Sequence, residues 1–134
     1  MTQEQKDLLL KDLCSRLPYG VKVQSYSYED DIETVETLYN IDSDGYMSTL
    51  ECDTLKNITK PYLFPLSSMT EEQREKLNEI IDLEVEVAIS HIKNDTPHWT
   101  VGLTRLNWFF KNHFDIYDLI PMGLAIDATG LNIY

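Results

Sequence analysis

The sequence predicts an α+β domain: an N-terminal helix, a small antiparallel β-sheet or SH3-like half-barrel, then two C-terminal helices packed on it. Three observations lead there. Apolar residues recur at helical spacing near the N-terminus and again after residue 70. The stretch between alternates in the manner of strands and is cut by turn residues. At 134 residues, 43% of them hydrophobic and 10% aromatic, the chain is sized for one domain, 1–134, with one core. Such a core needs no disulfide or metal to form.

The elements follow in order. Thr2 followed by Gln5 is a capping box for a first helix. Leu9, Leu10, Leu13, Cys14 and Leu17 give it an apolar side. Pro18-Tyr19-Gly20 stops it, because proline cannot continue a helix and glycine permits the turn. Residues 21–28 alternate as a strand, with Val21, Val23, Ser25 and Ser27 on one face. Glu29-Asp30-Asp31 suits a turn. The segment 32–41 has two readings. Thr34, Val35, Thr37 and Tyr39 favour a strand, whereas Ile32, Val35, Leu38 and Tyr39 share a helical face. Asp44-Gly45 is a hairpin signal, 45–50 suits the returning strand, and 55–62 suits another, ended by Pro61 and Pro65.

Thr70 with Gln73 caps the clearest helix start in the chain, and Glu71 and Glu72 suit its dipole. Leu77, Ile80, Ile81, Val85, Ala88, Ile89 and Ile92 keep helical spacing. Leu83, Val85, Val87 and Ile89 also alternate with Asp82, Glu84, Glu86 and Ala88, so 82–92 fits a strand too; the longer helical stripe favours helix. After a loop at Asn94-Asp95-Thr96-Pro97, a last helix covers 103–112 with Leu103, Leu106, Phe109 and Phe110 inward. The tail, broken by Pro121, Gly123 and Gly130, runs irregularly with one short strand at 124–126.

Charge narrows the function. Asp and Glu number 23 against 11 Lys and Arg, a net charge of -12, and the basic residues are scattered along the length. Direct nucleic-acid binding and anionic membranes are disfavoured by such a chain. The simplest role of the acidity is solubility. No apolar run is long enough to span a bilayer, and Met1 to Asp7 lacks the apolar stretch of a signal peptide. The chain therefore reads as cytoplasmic, with Cys14 and Cys52 as two buried, reduced thiols. The sequons at Asn57 and Asn94 then carry no role.

Several blocks stand together in order: Leu17-Pro18-Tyr19-Gly20-Val21, then Lys60-Pro61-Tyr62-Leu63-Phe64-Pro65-Leu66-Ser67-Ser68-Met69-Thr70-Glu71-Glu72, then Asn112-His113-Phe114-Asp115 and Leu119-Ile120-Pro121-Met122-Gly123-Leu124-Ala125. This set resembles a family of short proteins from anaerobic gut bacteria and their phages or mobile elements. The family has no assigned activity, so it assigns no site residue. The resemblance implies a cytosolic accessory protein whose first half is a small β-structure behind a leading helix. The same blocks also serve folding alone, as a proline-braced strand end, a capped helix start and a helix exit.

The sharpest candidate site is residues 40–51, which resemble the twelve-residue calcium loop of EF-hands. Asn40 opens it, Asp42 and Asp44 supply side-chain oxygens, Gly45 makes the turn, Tyr46 offers a carbonyl, Ser48 a direct or water-mediated contact and Glu51 a bidentate carboxylate. Against this, Asn40 replaces the usual Asp, no second loop is visible, and the flanks also suit strands joined by an Asp42-Ser43-Asp44-Gly45 turn. Any calcium would bind weakly, with a Kd of roughly 10⁻⁴ to 10⁻³ M. No other cofactor is expected. His91, His98 and His113 lack zinc spacing, the five glycines are isolated, and Ser67 and Ser68 are explained by a helix start. Nothing here argues for an enzyme. Among the dense aromatics Trp99, Trp108, Phe109, Phe110, Phe114 and Tyr117, most belong to a core; Trp99 and Trp108 are the interface candidates.

Three functions follow as expectations: a non-enzymatic protein-binding or regulatory accessory protein, a calcium-binding module at 40–51, or an acidic nucleic-acid mimic. The last rests on 29–53, where Glu29, Asp30, Asp31, Glu33, Glu36, Asp42, Asp44, Glu51 and Asp53 meet no basic residue.

Overall fold

In the computed structural model, residues 1–27, 32–44, 47–49, 60–94 and 103–134 are described. Helix α1, Gln3–Arg16, opens on the expected box: Thr2 Oγ1 accepts from the Gln5 amide at 3.1 Å, and Gln5 Oε1 accepts from the Thr2 amide at 2.9 Å. A short 3-10 turn, Leu17–Tyr19, follows and ends at Gly20 in the left-handed region at φ 66°.

Strands β1, Lys22–Ser27; β2, Ile32–Ile41; β3, Met47–Thr49; β4, Lys60–Leu63; and β5, Ile126–Asp127 make one sheet in the order β3-β2-β1-β4-β5. The architecture is α+β. The expected antiparallel sheet gains one parallel pair, β4 with β5, because the tail returns alongside Tyr62 and Leu63. The short strand read at 124–126 begins two residues later, and Leu124 and Ala125 are buried ahead of it.

The segment 32–41 is strand. Leu38 faces Thr49 while Asn40 faces Ser48, so Tyr39 is the extra residue of a β-bulge. The bulge lets Leu38 and Ile41, three apart, both pack on the core. Val35 and Tyr39, which shared the alternative helical face with Leu38, are exposed. The 45–50 strand is Met47–Thr49, and of 55–62 the described part is β4; the remainder of both lies outside the described residues.

One core joins α1 to the sheet and the tail. Leu9 and Leu13 meet Val21, Val23, Leu38 and Leu63, and Leu119, Leu124 and Ala125 close the cluster. Each buried Leu or Val side chain of the cluster contributes about 1.5–3 kcal/mol. The buried stripe of α1 is Leu9, Asp12, Leu13 and Arg16. Cys14 is therefore exposed, which corrects the expected buried thiol: the helix is turned to bury a charged pair on the flank that Cys14 would need. Cys52 lies outside the described residues.

Helix α2, Glu71–Asn94, is continuous, so 82–92 is helix. Its box forms as read, with Thr70 N–H donating to Gln73 Oε1 at 2.9 Å and Gln73 N–H to Thr70 Oγ1 at 3.2 Å. Helix α3, Leu103–Lys111, packs on α1, and α2 lies against α3. Only the lower part of α3 faces inward. Phe110 is buried, but Leu103 and Leu106, expected inside, are exposed because α3 meets α1 at its C-terminal end.

Candidate functional site

Two places concentrate chemistry. The first is a closed polar knot where α3 ends. His113 sits in the left-handed region at φ 62°. Its amide donates to Phe110 O and the Phe114 amide to Phe109 O, the paired bonds of a Schellman stop, and the Phe114 ring meets Phe109 edge-on at 6.4 Å. The chain then bridges to Phe64: Phe64 N–H donates to His113 O and Asp115 N–H to Phe64 O, both at 2.8 Å. Buried Asp115 caps the next turn by accepting from the amides of Leu119 and Ile120 at 2.9 and 2.8 Å.

Arg16 ties α1 to this corner. Its Nε and Nη2 donate to Asp12 at 2.7 and 2.8 Å, and Nη2 also donates to Phe114 O at 2.5 Å. Its guanidinium lies over the Phe110 ring at 5.1 Å, and Nη1 is buried without a partner. Burial pushes the Asp12 carboxyl above its ordinary range, Arg16 pulls it back, and the Asp115 charge adds to the rise. Burial, with the charges of Arg16 and Lys22, holds His113 down at about 4. His113 stacks on Tyr134 at 3.7 Å. The Tyr134 hydroxyl accepts from the Lys22 amide at 2.9 Å and donates to Tyr62 O at 2.7 Å, bridging β1 and β4; burial raises it to about 12. Asp12 and Arg16 have no exposed surface, so no substrate reaches them. The knot is a latch between α1, the α3 exit and the sheet.

The second place is the α2–α3 pair. Glu84, mid-way along α2, accepts from the Arg105 amide at 3.0 Å and ion-pairs with its guanidinium at 3.8 Å. One carboxylate thus caps the first turn of α3 and sets it against α2. Glu84 faces α3. At about 100° per residue, Leu83 and Val87 then lie on one flank of α2 and Val85 and Ile89 on the other. These side chains are open to solvent: Leu83 57%, Val85 52%, Ile89 47%. Leu103 and Leu106 on α3 are likewise exposed. Between Leu77 and Ile92 every Lys, Arg, Asp or Glu is acidic: Glu79, Asp82, Glu84 and Glu86.

The sequence candidates fall elsewhere. Asn40 is in β2 paired with Ser48 in β3, and Asp42 and Asp44 follow the end of β2, where Asp42 Oδ1 accepts from the Asp44 amide at 2.9 Å. The described residues on either side of this stretch are the paired strands β2 and β3, where an EF-hand has helices. Tyr46 and Glu51 lie outside the described residues, as does Trp99. Among the described residues no three His, Cys, Asp or Glu gather as for a metal. Glu33 and Glu36, three apart in a regular stretch of strand, take opposite faces of the sheet, so the acidic residues of β2 present no single charged face. Trp108 is half-buried, stacked on Phe114 at 5.6 Å and edge-on to Phe109 at 5.5 Å. Sequence reading missed the flanks of α2. Their signal was the double fit of 82–92 to helix and strand templates, which marks a helix apolar around most of its circumference.

Among the described residues no helix is long and apolar enough to cross a membrane. No protein family, curated protein or solved structure compared with this chain matches it.

Proposed function

We propose that this is a non-enzymatic protein-binding or regulatory accessory protein that docks its partner through the α2–α3 pair. One observation carries the reading: α2 is capped and held to α3, yet leaves Leu83, Val85, Val87 and Ile89 in solvent. Exposed apolar side chains rimmed by charge mark interaction sites, and α2 carries such side chains on two flanks, Leu83 with Val87 and Val85 with Ile89. The polar knot supports no competing chemistry, because its charged groups are sealed. The shallow cavity of about 370 Å³ beside it is lined by Phe64, Ala128, Gly130, Asn132, Ile133 and Tyr134, and the Tyr134 hydroxyl is already engaged on both sides.

The test is affinity capture from cell extract with the wild type and a Leu83→Ser/Val87→Ser double variant, read by mass spectrometry. The expected result is a partner held by the wild type and lost by a variant of unchanged melting temperature. No specific partner, or one retained equally by the variant, would sink the reading.

A further inference from the structure

We infer that residues 130–134 form a pH-gated strap: protonation of His113 releases Tyr134 from the sheet while the apolar core stays folded. Tyr134 is what fastens this segment. Among the described residues, the hydrogen bonds that carry 130–134 to the sheet both run through its hydroxyl, which accepts from the Lys22 amide and donates to Tyr62 O. Its ring lies on His113 at 3.7 Å and 12°, and meets the Phe64 ring at 5.8 Å. The rest of the segment is lightly held. Leu131 N–H bonds back to Ala128 O within one turn, its side chain is open to solvent, and Gly130 and Asn132 turn the chain in the left-handed region at φ 75° and 58°.

The fastening is sensitive to charge because of where His113 sits. Its Nδ1 is buried without a partner. In the neutral ring that atom can be an idle lone pair. In the imidazolium it carries an N–H, and a buried cationic N–H without an acceptor costs far more. The charged groups around the ring give no relief. Arg16 from α1 and Lys22 from β1 oppose a third positive charge. Asp12 is spent on Arg16, and Asp115 accepts from the Leu119 and Ile120 amides. Phe64, Phe110 and Tyr134 bring no charge. Lifting Tyr134 off the ring brings water to His113 without parting α1 from the sheet. Freed, the ring takes up its proton near pH 6.5; stacked, near pH 4. Opening is therefore favoured up to about 300-fold more in acid than at neutral pH.

The test is amide hydrogen exchange read by NMR at pH 7 and pH 4.5, each rate taken relative to unstructured peptide at the same pH. Lys22 N–H reports the strap, and Leu38 N–H, bonded to Val21 O, reports the sheet. Protection of Lys22 is expected to fall at least about tenfold further than that of Leu38 between the two pH values. In His113→Asn the two amides are expected to change in step. Tyr134→Phe is expected to remove Lys22 protection at both pH values, because the hydroxyl is the contact. A second measurement needs no variant: in the wild type, the NMR titration of the His113 ring is expected to cover the pH range over which Lys22 loses protection.

Lys22 and Leu38 losing protection in step in the wild type would make the acid response global unfolding and overturn the strap. A separate fall at Lys22 that persists in His113→Asn, or a His113 titration over a different pH range, would take His113 out of the device and overturn it. Lys22 protection that is unchanged by pH, already absent at pH 7, or retained in Tyr134→Phe would overturn it as well.

Discussion

Arg16 is the residue on which most of the interior geometry converges. Its bonds reach Asp12 and the Phe114 carbonyl, and its guanidinium covers Phe110. A buried pair of this kind is weak support for stability in itself, since desolvation offsets the attraction, and the upward push on Asp12 reflects that cost. Breaking it is another matter. Arg16→Ala leaves Asp12 charged and unpaired and is expected to cost about 3–5 kcal/mol, while Asp12→Leu/Arg16→Met is expected to lie closer to the wild type; urea unfolding checks both. His113 gives a pH signature. Its folded value of about 4 lies below the ordinary 6.5, so acidification protonates the unfolded chain first. Stability from this group is full above pH 6.5 and is lost as pH falls toward 4. Asp12 works the other way, because a raised folded pKa favours the fold as it takes up its proton above pH 3.8. The His113 share is isolated by His113→Asn, which tolerates the left-handed backbone. Its melting temperature is expected to fall less than that of the wild type between pH 7 and pH 4.5.

At the scale of elements, the links between segments are single side chains. Tyr134 joins β1 to β4 through two hydrogen bonds. Tyr134→Phe keeps the stacking on His113 but leaves the Lys22 amide and Tyr62 carbonyl unserved, at an expected cost of about 1–3 kcal/mol by thermal unfolding. Glu84 joins α2 to α3. Glu84→Ala is expected to cost about 0.5–2 kcal/mol and to speed amide exchange at Arg105 and along the first turn of α3, while β1 and β2 exchange as before.

At the scale of the molecule, the two ends of the fold differ in kind. The sheet, α1 and the tail enclose one apolar cluster, and α2 with the upper half of α3 stands outside it. Leu83 and Val87 take no part in the core, so Leu83→Ser/Val87→Ser is expected to leave the unfolding free energy from urea titration within about 0.5 kcal/mol of the wild type. The net charge of -12 acts on the whole chain. Raising sodium chloride from low ionic strength to about 0.5 M shortens the Debye length well below 10 Å and is expected to raise the melting temperature, as self-repulsion is screened.

Both capping boxes, the stop at Gly20, the β1 alternation and the length of α2 were written in the sequence, because each depends on residues within four of one another. The readings that failed or stayed open all needed a distant partner. Cys14 and Asp12 are equally placed on α1 by periodicity, and only the Phe114 carbonyl, 98 positions from Arg16, turns the Asp12 side inward. The 32–41 ambiguity is resolved by pairing with β1 on one side and β3 on the other, which leaves Val35 and Tyr39 of the apparent helical face exposed. The strands flanking the candidate calcium loop show only in the pairing of Asn40 with Ser48, and the parallel β4–β5 pair joins segments more than sixty residues apart. Local hydrogen bonding and steric preference determined where helices and turns begin. Which face of each element is buried, and which is left for a partner, was decided by long-range packing, since burial belongs to contacts between elements and no single element specifies its neighbour.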